Sequence, residues 1–263
     1  SENEKLTGTL RLNPNDFLIP LHTGLEECTN ALYVGLSFID NLTILPESLP
    51  GEDGFIHHSP VGRKDLTVEE RKIIYREWLI KKGFEDLIKS VTMMLIDVCK
   101  IINLNEKIKD PMLLKDFRTL LLTPDHQPTK KHFPELLTIV KSNLSAPLAY
   151  EDEISSINDV RRCLVHRNGR VTPLDFSKGK STLQLKWLYL RPVFIKEGSV
   201  EDIKQFGVLE GPGQADIVID NKQLEFKENE SIAISYQLFN ELALTCHFFG
   251  VDLIGKLQLK RKP

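Results

Sequence analysis

Apolar residues recur at helical spacing through most of this chain and alternate in only one region, toward its C-terminal third. From Leu25 to Leu42 the positions Leu25, Cys28, Leu32, Leu36 and Ile39 repeat at steps of three and four, one face of a helix. A longer stripe follows through Ile74, Trp78, Phe84, Leu87, Ile88, Val91, Leu95, Val98 and Ile102. Ahead of it, Thr67-Val68-Glu69-Glu70 has the form of a capping box, with Thr67 as cap and Glu70 three residues on. The spacing predicts a helix over 67–104, kinked or split at Gly83. Shorter helices are expected over 111–122 and 132–144, separated by Thr123-Pro124-Asp125 and Pro128. Another is expected over 151–167, ending at Asn168-Gly169, where glycine is a natural helix stop. The last long helix is expected from Ser231 to about Phe249, with Ile234, Leu238, Leu242 and Phe249 on one side.

Between the last two helices the period changes to two. Thr182 through Leu190 alternates as a strand does, and Ala215 through Phe226 reads as a hairpin turning at Asp220-Asn221. Residues 1–20, broken by Pro14 and Pro20, read as an irregular lead, and 43–66, with three prolines and three glycines, as a long loop. The expected fold is mostly α: an antiparallel bundle of long helices with a small β insertion, about 182–227, before the last of them. No internal boundary divides the chain, so 1–263 is read as one domain.

Composition narrows the class without naming a chemistry. The chain has 263 residues, 41% hydrophobic and 27% charged, and a net charge of -3. That balance gives no global basic field, although it permits a local basic patch. Cys28, Cys99, Cys163 and Cys246 are far apart and fit no metal-ligand spacing, which favours reduced, buried thiols. No apolar run reaches the roughly 18 residues of a membrane span. The polar N-terminal residues lack a signal-peptide pattern, so a cytoplasmic protein with no membrane contact is expected.

The densest candidate chemistry lies in Asp159-Val160-Arg161-Arg162-Cys163-Leu164-Val165-His166-Arg167-Asn168-Gly169-Arg170. It combines an imidazole that titrates near neutral pH with guanidinium groups suited to phosphate. On a helical wheel Ile154, Ile157, Val160, Leu164 and Val165 form the apolar face, and Arg161 falls inside it. A guanidinium there needs an anion, carbonyls or an interface. Ser155, Asp159, Arg162 and His166 share the neighbouring polar side. A purely structural reading stands beside the chemical one: His166 can complement the helix dipole, Arg161 can bridge helices, and the other arginines can be solvated surface.

An arginine followed four to six residues later by a histidine, near the end of a helix in an α-helical bundle, resembles the signature of HEPN domains. The segment Val160–Gly169 looks like their stand-alone bacterial members, although Arg162 stands where Asn, Asp or His is usual. The resemblance extends over the helices at 25–42, 67–104, 151–167 and 231–249 and leaves the β insertion outside it. It implies a metal-independent endoribonuclease of a toxin or phage-defence system, acting as a homodimer with both motifs facing one cleft. Arg161 would hold the scissile phosphate, and His166 would act as general base or acid. Arg162, Arg167 and Arg170 would extend contacts along RNA, with Lys178 and Lys180 beyond them. No cofactor or metal is implied, and an antitoxin or regulatory protein would be a partner. The alternative is a non-catalytic module that binds RNA, a nucleotide or a protein through the same surface.

Other groups carry less. Asp53, His57 and His58 share the 43–66 loop and could together bind a metal. His22, His126 and His132 stand alone in sequence, and His247 reads as a core or capping residue near the end of an apolar helix. Gly207–Gly213 lacks the Lys-Ser/Thr of a phosphate loop.

Overall fold

The structure, a computed structural model, describes residues 13–43, 49–50, 56–57, 66–108, 114–122, 128–177, 179–196, 199–203 and 212–259. Its described residues form six α-helices, a three-stranded antiparallel sheet and a short two-stranded pair. The helices are α1 (Leu18–Asp40), α2 (Val68–Lys107), α3 (Leu114–Leu122), α4 (Phe133–Lys141), α5 (Glu151–His166) and α6 (Tyr236–Lys256). The strands are β1 (Leu49–Pro50) and β2 (Ile56–His57), which pair with each other, then β3 (Leu183–Lys196), β4 (Ser199–Asp202) and β5 (Gln214–Phe226).

Helix α1 starts seven residues before the first position of the apolar repeat at Leu25. Pro20 lies in its first turn, where a missing N–H costs nothing because those amides have no intrahelical acceptor. The expected irregular lead is therefore partly helix. Thr67 caps α2 as its sequence implied: its side chain accepts from the Glu70 amide while Glu70 Oε2 accepts from Thr67 N at 2.9 Å. The helix is not split at Gly83, and α2 runs as one element of 40 residues. Gly83 serves close packing instead, since an added Cβ would meet Phe239 at 3.1 Å. Helix α6 begins at Tyr236 rather than Ser231, because Ser235 is the cap: its Oγ accepts from Leu238 N at 3.1 Å.

Helices α1 and α2 run antiparallel, with Asp40 bonded to Arg76 at one end and Gly24 facing Ser90 at the other. Helix α6 lies against both. A Cβ at Gly250 of α6 would collide with Leu21, so α1 and α6 approach closely there. One hydrophobic core joins these helices to α4, α5 and the base of the sheet, through Phe84, Met94, Leu136, Ile157, Leu185 and Phe239.

In the sheet β3 lies between β4 and β5. The expected hairpin turn at Asp220-Asn221 does not exist. Both residues lie mid-strand in β5, opposite Tyr189 and Leu188 of β3. The ladder continues unbroken on both sides of the pair, and the Asp220 carboxylate accepts from Arg191 Nε at 2.8 Å across it. Strand β3 also outruns its expected end at Leu190, passing through Pro192 to Lys196. Where β4 has not yet begun, helices cover the other edge of β3. Ser156 Oγ of α5 accepts from Lys186 N at 2.8 Å and donates to Lys186 O, and Thr245 Oγ1 of α6 accepts from Leu188 N at 2.9 Å. The insertion leaves and rejoins the helices on a closed stem, where Arg170 bridges Ser231 and Val171 N donates to Glu230 O at 3.0 Å.

No helix among the described residues is long and apolar enough to cross a membrane.

Candidate functional site at the C-terminal end of helix 5

Helix α5 is charge-sorted along its length. Glu151, Asp152 and Glu153 occupy the first turn and His166 the last, each complementing the helix dipole. The helix stops as its sequence implied. Arg167 N and Gly169 N both donate to Cys163 O, at 2.9 and 3.2 Å, and Asn168 and Gly169 take φ of 52° and 75°. From α2, Lys81 Nζ donates to Asn168 Oδ1 at 3.1 Å. The end of α5 is thus held between its own stop and the middle of α2.

Arg161 is half-buried. Its Nη2 donates to Oδ1 of the buried Asn158 at 3.0 Å, and its buried Nε has no hydrogen-bond partner. It forms no ion pair among the described residues. Glu85 is the acidic group whose charge reaches it, and that carboxylate is paired with Lys82 at 3.2 Å. Burial, with the neighbouring Arg162, lowers the Arg161 pKa. The result is a cation in a desolvated position without a neutralising carboxylate. Asn158 also lines a cavity of about 220 Å³ between α4 and α5, together with Lys141, Glu151, Ser155 and Asp159. The residue that holds Arg161 thus also borders this cavity.

The remaining motif residues separate. His166 is exposed, five positions after Arg161, which places the two side chains about 140° apart around the helix. Within one chain they do not converge on one face. Arg162 is exposed and 3.6 Å from Asp159, whose carboxyl is raised by burial more than Arg162 lowers it. Arg170 is exposed at the stem. Arg167 is committed internally: its Nη1 lies 2.9 Å from the buried carboxylate of Asp175, which also accepts from Thr172 N and Oγ1. Lys180 bonds Gln184, and Lys178 lies outside the described residues. Sequence reasoning missed Asn158, whose mid-helix position gave no sign that it would hold the guanidinium.

A second cluster joins residues far apart in sequence. His22 of α1 and His247 of α6 bring Nε2 and Nδ1 to 2.9 Å across an open groove of about 360 Å³, also lined by Glu26, Thr29 and Asn240. Burial first, then His22, lowers the His247 pKa. His22 is therefore not isolated. The partnership was invisible because the helical repeat was read only from Leu25, three residues past His22.

All four cysteines are buried and free. Burial raises the thiols of Cys28 and Cys163 to about 12 and that of Cys99 to about 11. No group of three or more His, Cys, Asp or Glu able to hold a metal occurs among the described residues. Asp53, His58 and His126 lie outside them, and His57 is described only as part of β2. In comparisons with known proteins, the chain matches no family model, no curated protein and no solved structure.

Proposed function

We propose that this chain is a metal-independent endoribonuclease of HEPN type, serving a toxin or phage-defence system as a homodimer in which Arg161 and His166 do the chemistry. The observation that carries this reading is the uncompensated guanidinium. Arg161 is held by Asn158, is partly desolvated, and forms no ion pair among the described residues. A phosphodiester supplies the anion such a group lacks. The exposed imidazole of His166 supplies a group able to take and return a proton.

Cleavage would use the ribose 2′-OH. His166 removes its proton, the oxygen attacks phosphorus, and Arg161 stabilises the charge gathering on the phosphoryl oxygens. Departure of the 5′-oxygen, with a proton returned to it, leaves a 2′,3′-cyclic phosphate. DNA, lacking the 2′-OH, would not be cut. Because Arg161 and His166 diverge on one helix, the reading requires two motifs in one cleft, each copy supplying what the other's geometry withholds.

The same divergence favours a second reading, in which the surface binds RNA, a nucleotide or a protein partner without cleaving. One experiment separates the two. The ribonuclease reading expects RNA cleavage in EDTA with 2′,3′-cyclic ends, falling about 10²–10⁴-fold in His166→Ala with unchanged circular dichroism. RNA binding without cleavage, unaffected by His166→Ala, would replace it with the second reading.

A further inference from the structure

The sheet leaves one long edge open. On one side β3 is covered by Ser156, Thr245 and then β4; on its other side lies β5, with no described strand beyond it. The hydrogen-bonding phase of that outer edge follows from the register. Lys186 and Leu188 turn their amides away from β5, toward Ser156 and Thr245, and they face Gln223 and Asn221. In an antiparallel pair, residues opposite each other turn their amides alike, so the odd-numbered residues of β5 point theirs outward. Ile217 agrees, because its N–H donates to the Asp216 carboxylate at 2.7 Å rather than to β3. Along this edge Ile217 and Ile219 are 60% and 43% exposed, on the same face as Leu190 and Pro192, which lie opposite them.

We propose that β5 pairs antiparallel with β5 of a second copy of this chain about a two-fold axis at Ile219. That axis sets Ile219 against its own copy, Ile217 against Asn221, Ala215 against Gln223, and Asp216 against Lys222. The odd-numbered pairs are those whose amides face outward, so the ladder closes in phase with about ten N–H···O bonds. The exposed isoleucines of both copies meet as direct and diagonal neighbours, and Asp216 faces Lys222 twice. No like charges are opposed. Moving the axis by one residue keeps the amides in phase but opposes like charges: at Val218 it sets Asp216 against Asp220, and at Asp220 it sets that carboxylate against its own copy. An axis at Asn221 sets Asp220 against Lys222 but places Ile217 and Ile219 opposite Glu225 and Gln223, which strands the apolar pair. On pairing, Asp216 releases the Ile217 amide and Lys222 leaves the ring of Tyr189, over which it sits at 3.3 Å. The strand edge is thus its own complement, and the partner is another copy of this chain. This goes beyond the nuclease reading, and its readout involves no RNA.

Because the native cysteines are buried, a cysteine placed on β5 supplies the reactive thiol. Opposed residues in a hydrogen-bonded pair have Cα atoms about 5.5 Å apart, within disulfide range. In the full chain, Ile219→Cys under mild copper-phenanthroline oxidation should give a disulfide-linked dimer on non-reducing gels, and Asn221→Cys should stay largely monomeric. Asp216→Lys should weaken dimerisation about tenfold by light scattering, and adding Lys222→Asp should restore it. Preferential crosslinking through Asn221→Cys, or a wild-type chain that stays monomeric, would overturn the proposal. A dimer that Ile219→Cys does not lock would sink this interface and leave a motif-sharing cleft standing. A locked dimer without RNA cleavage would sink the nuclease alone.

Discussion

Arg162 and Arg167 are five residues apart in one basic run, and the fold gives them different work. Arg167 neutralises Asp175, whose side chain is 2% exposed and is also held by Thr172. Removing one partner of a buried pair strands the other's charge. Arg167→Ala should therefore cost about 2–4 kcal/mol in urea denaturation. Arg162→Ala, beside the partly exposed Asp159, should cost no more than about 0.5 kcal/mol. Equal losses would refute the distinction. Spacing alone could not make it, because Asp175 lies past the helix stop, in a turn that folds back under α5. The inward position of Arg161, by contrast, was legible: a 3.6-residue period places it among Ile157, Val160 and Leu164, and the structure finds it half-buried there. Its hold on Asn158 was not legible, since any polar residue one turn earlier would have looked the same.

Helices were readable wherever one face is apolar and the caps are local, as at Thr67 and at Asn168-Gly169. They were misjudged where tertiary packing extends them, as in the first turns of α1. The strand error has the same origin. Asp-Asn is turn chemistry in isolation, and β5 overrides it because β3 and Arg191 hold those residues extended. The extra length of α1 has an energetic consequence, because it brings His22 to His247. A histidine whose folded pKa is lowered resists the proton that the unfolded chain accepts near pH 6.5. Its contribution is full above that pH and is lost as pH falls from there through the lowered folded value. The melting temperature of the wild type should thus drop between pH 7.5 and 5.5, and His247→Gln should reduce the drop. Parallel pH profiles would show that the pair carries none of it.

The molecule as a whole is held together where side chains replace a missing strand. The edge of β3 that faces the bundle carries hydroxyls from two helices, and Trp187 Nε1 donates to Glu241 of α6. Sheet and helices should accordingly unfold as one unit. Thr245→Val leaves the Leu188 amide buried without an acceptor, at a cost of about 1–3 kcal/mol. In a Trp78→Phe background, Trp187 fluorescence and helical circular dichroism should still shift together on heating, as two-state unfolding requires. Midpoints that separate would mean that the sheet melts alone. This seam could not be seen in the chain, because Thr245 sits in a run of apolar helix and nothing nearby marks it as a strand's neighbour.

The stem at Arg170 and Ser231 has a separate consequence. It gathers both ends of the ribbon at the rim of the bundle, and Leu183, Leu185, Trp187 and Phe226 root the ribbon's near half in the interior. Substitutions along the outer edge of its far half therefore leave the bundle beneath closed, so they change how the ribbon meets a neighbour without changing whether the chain folds.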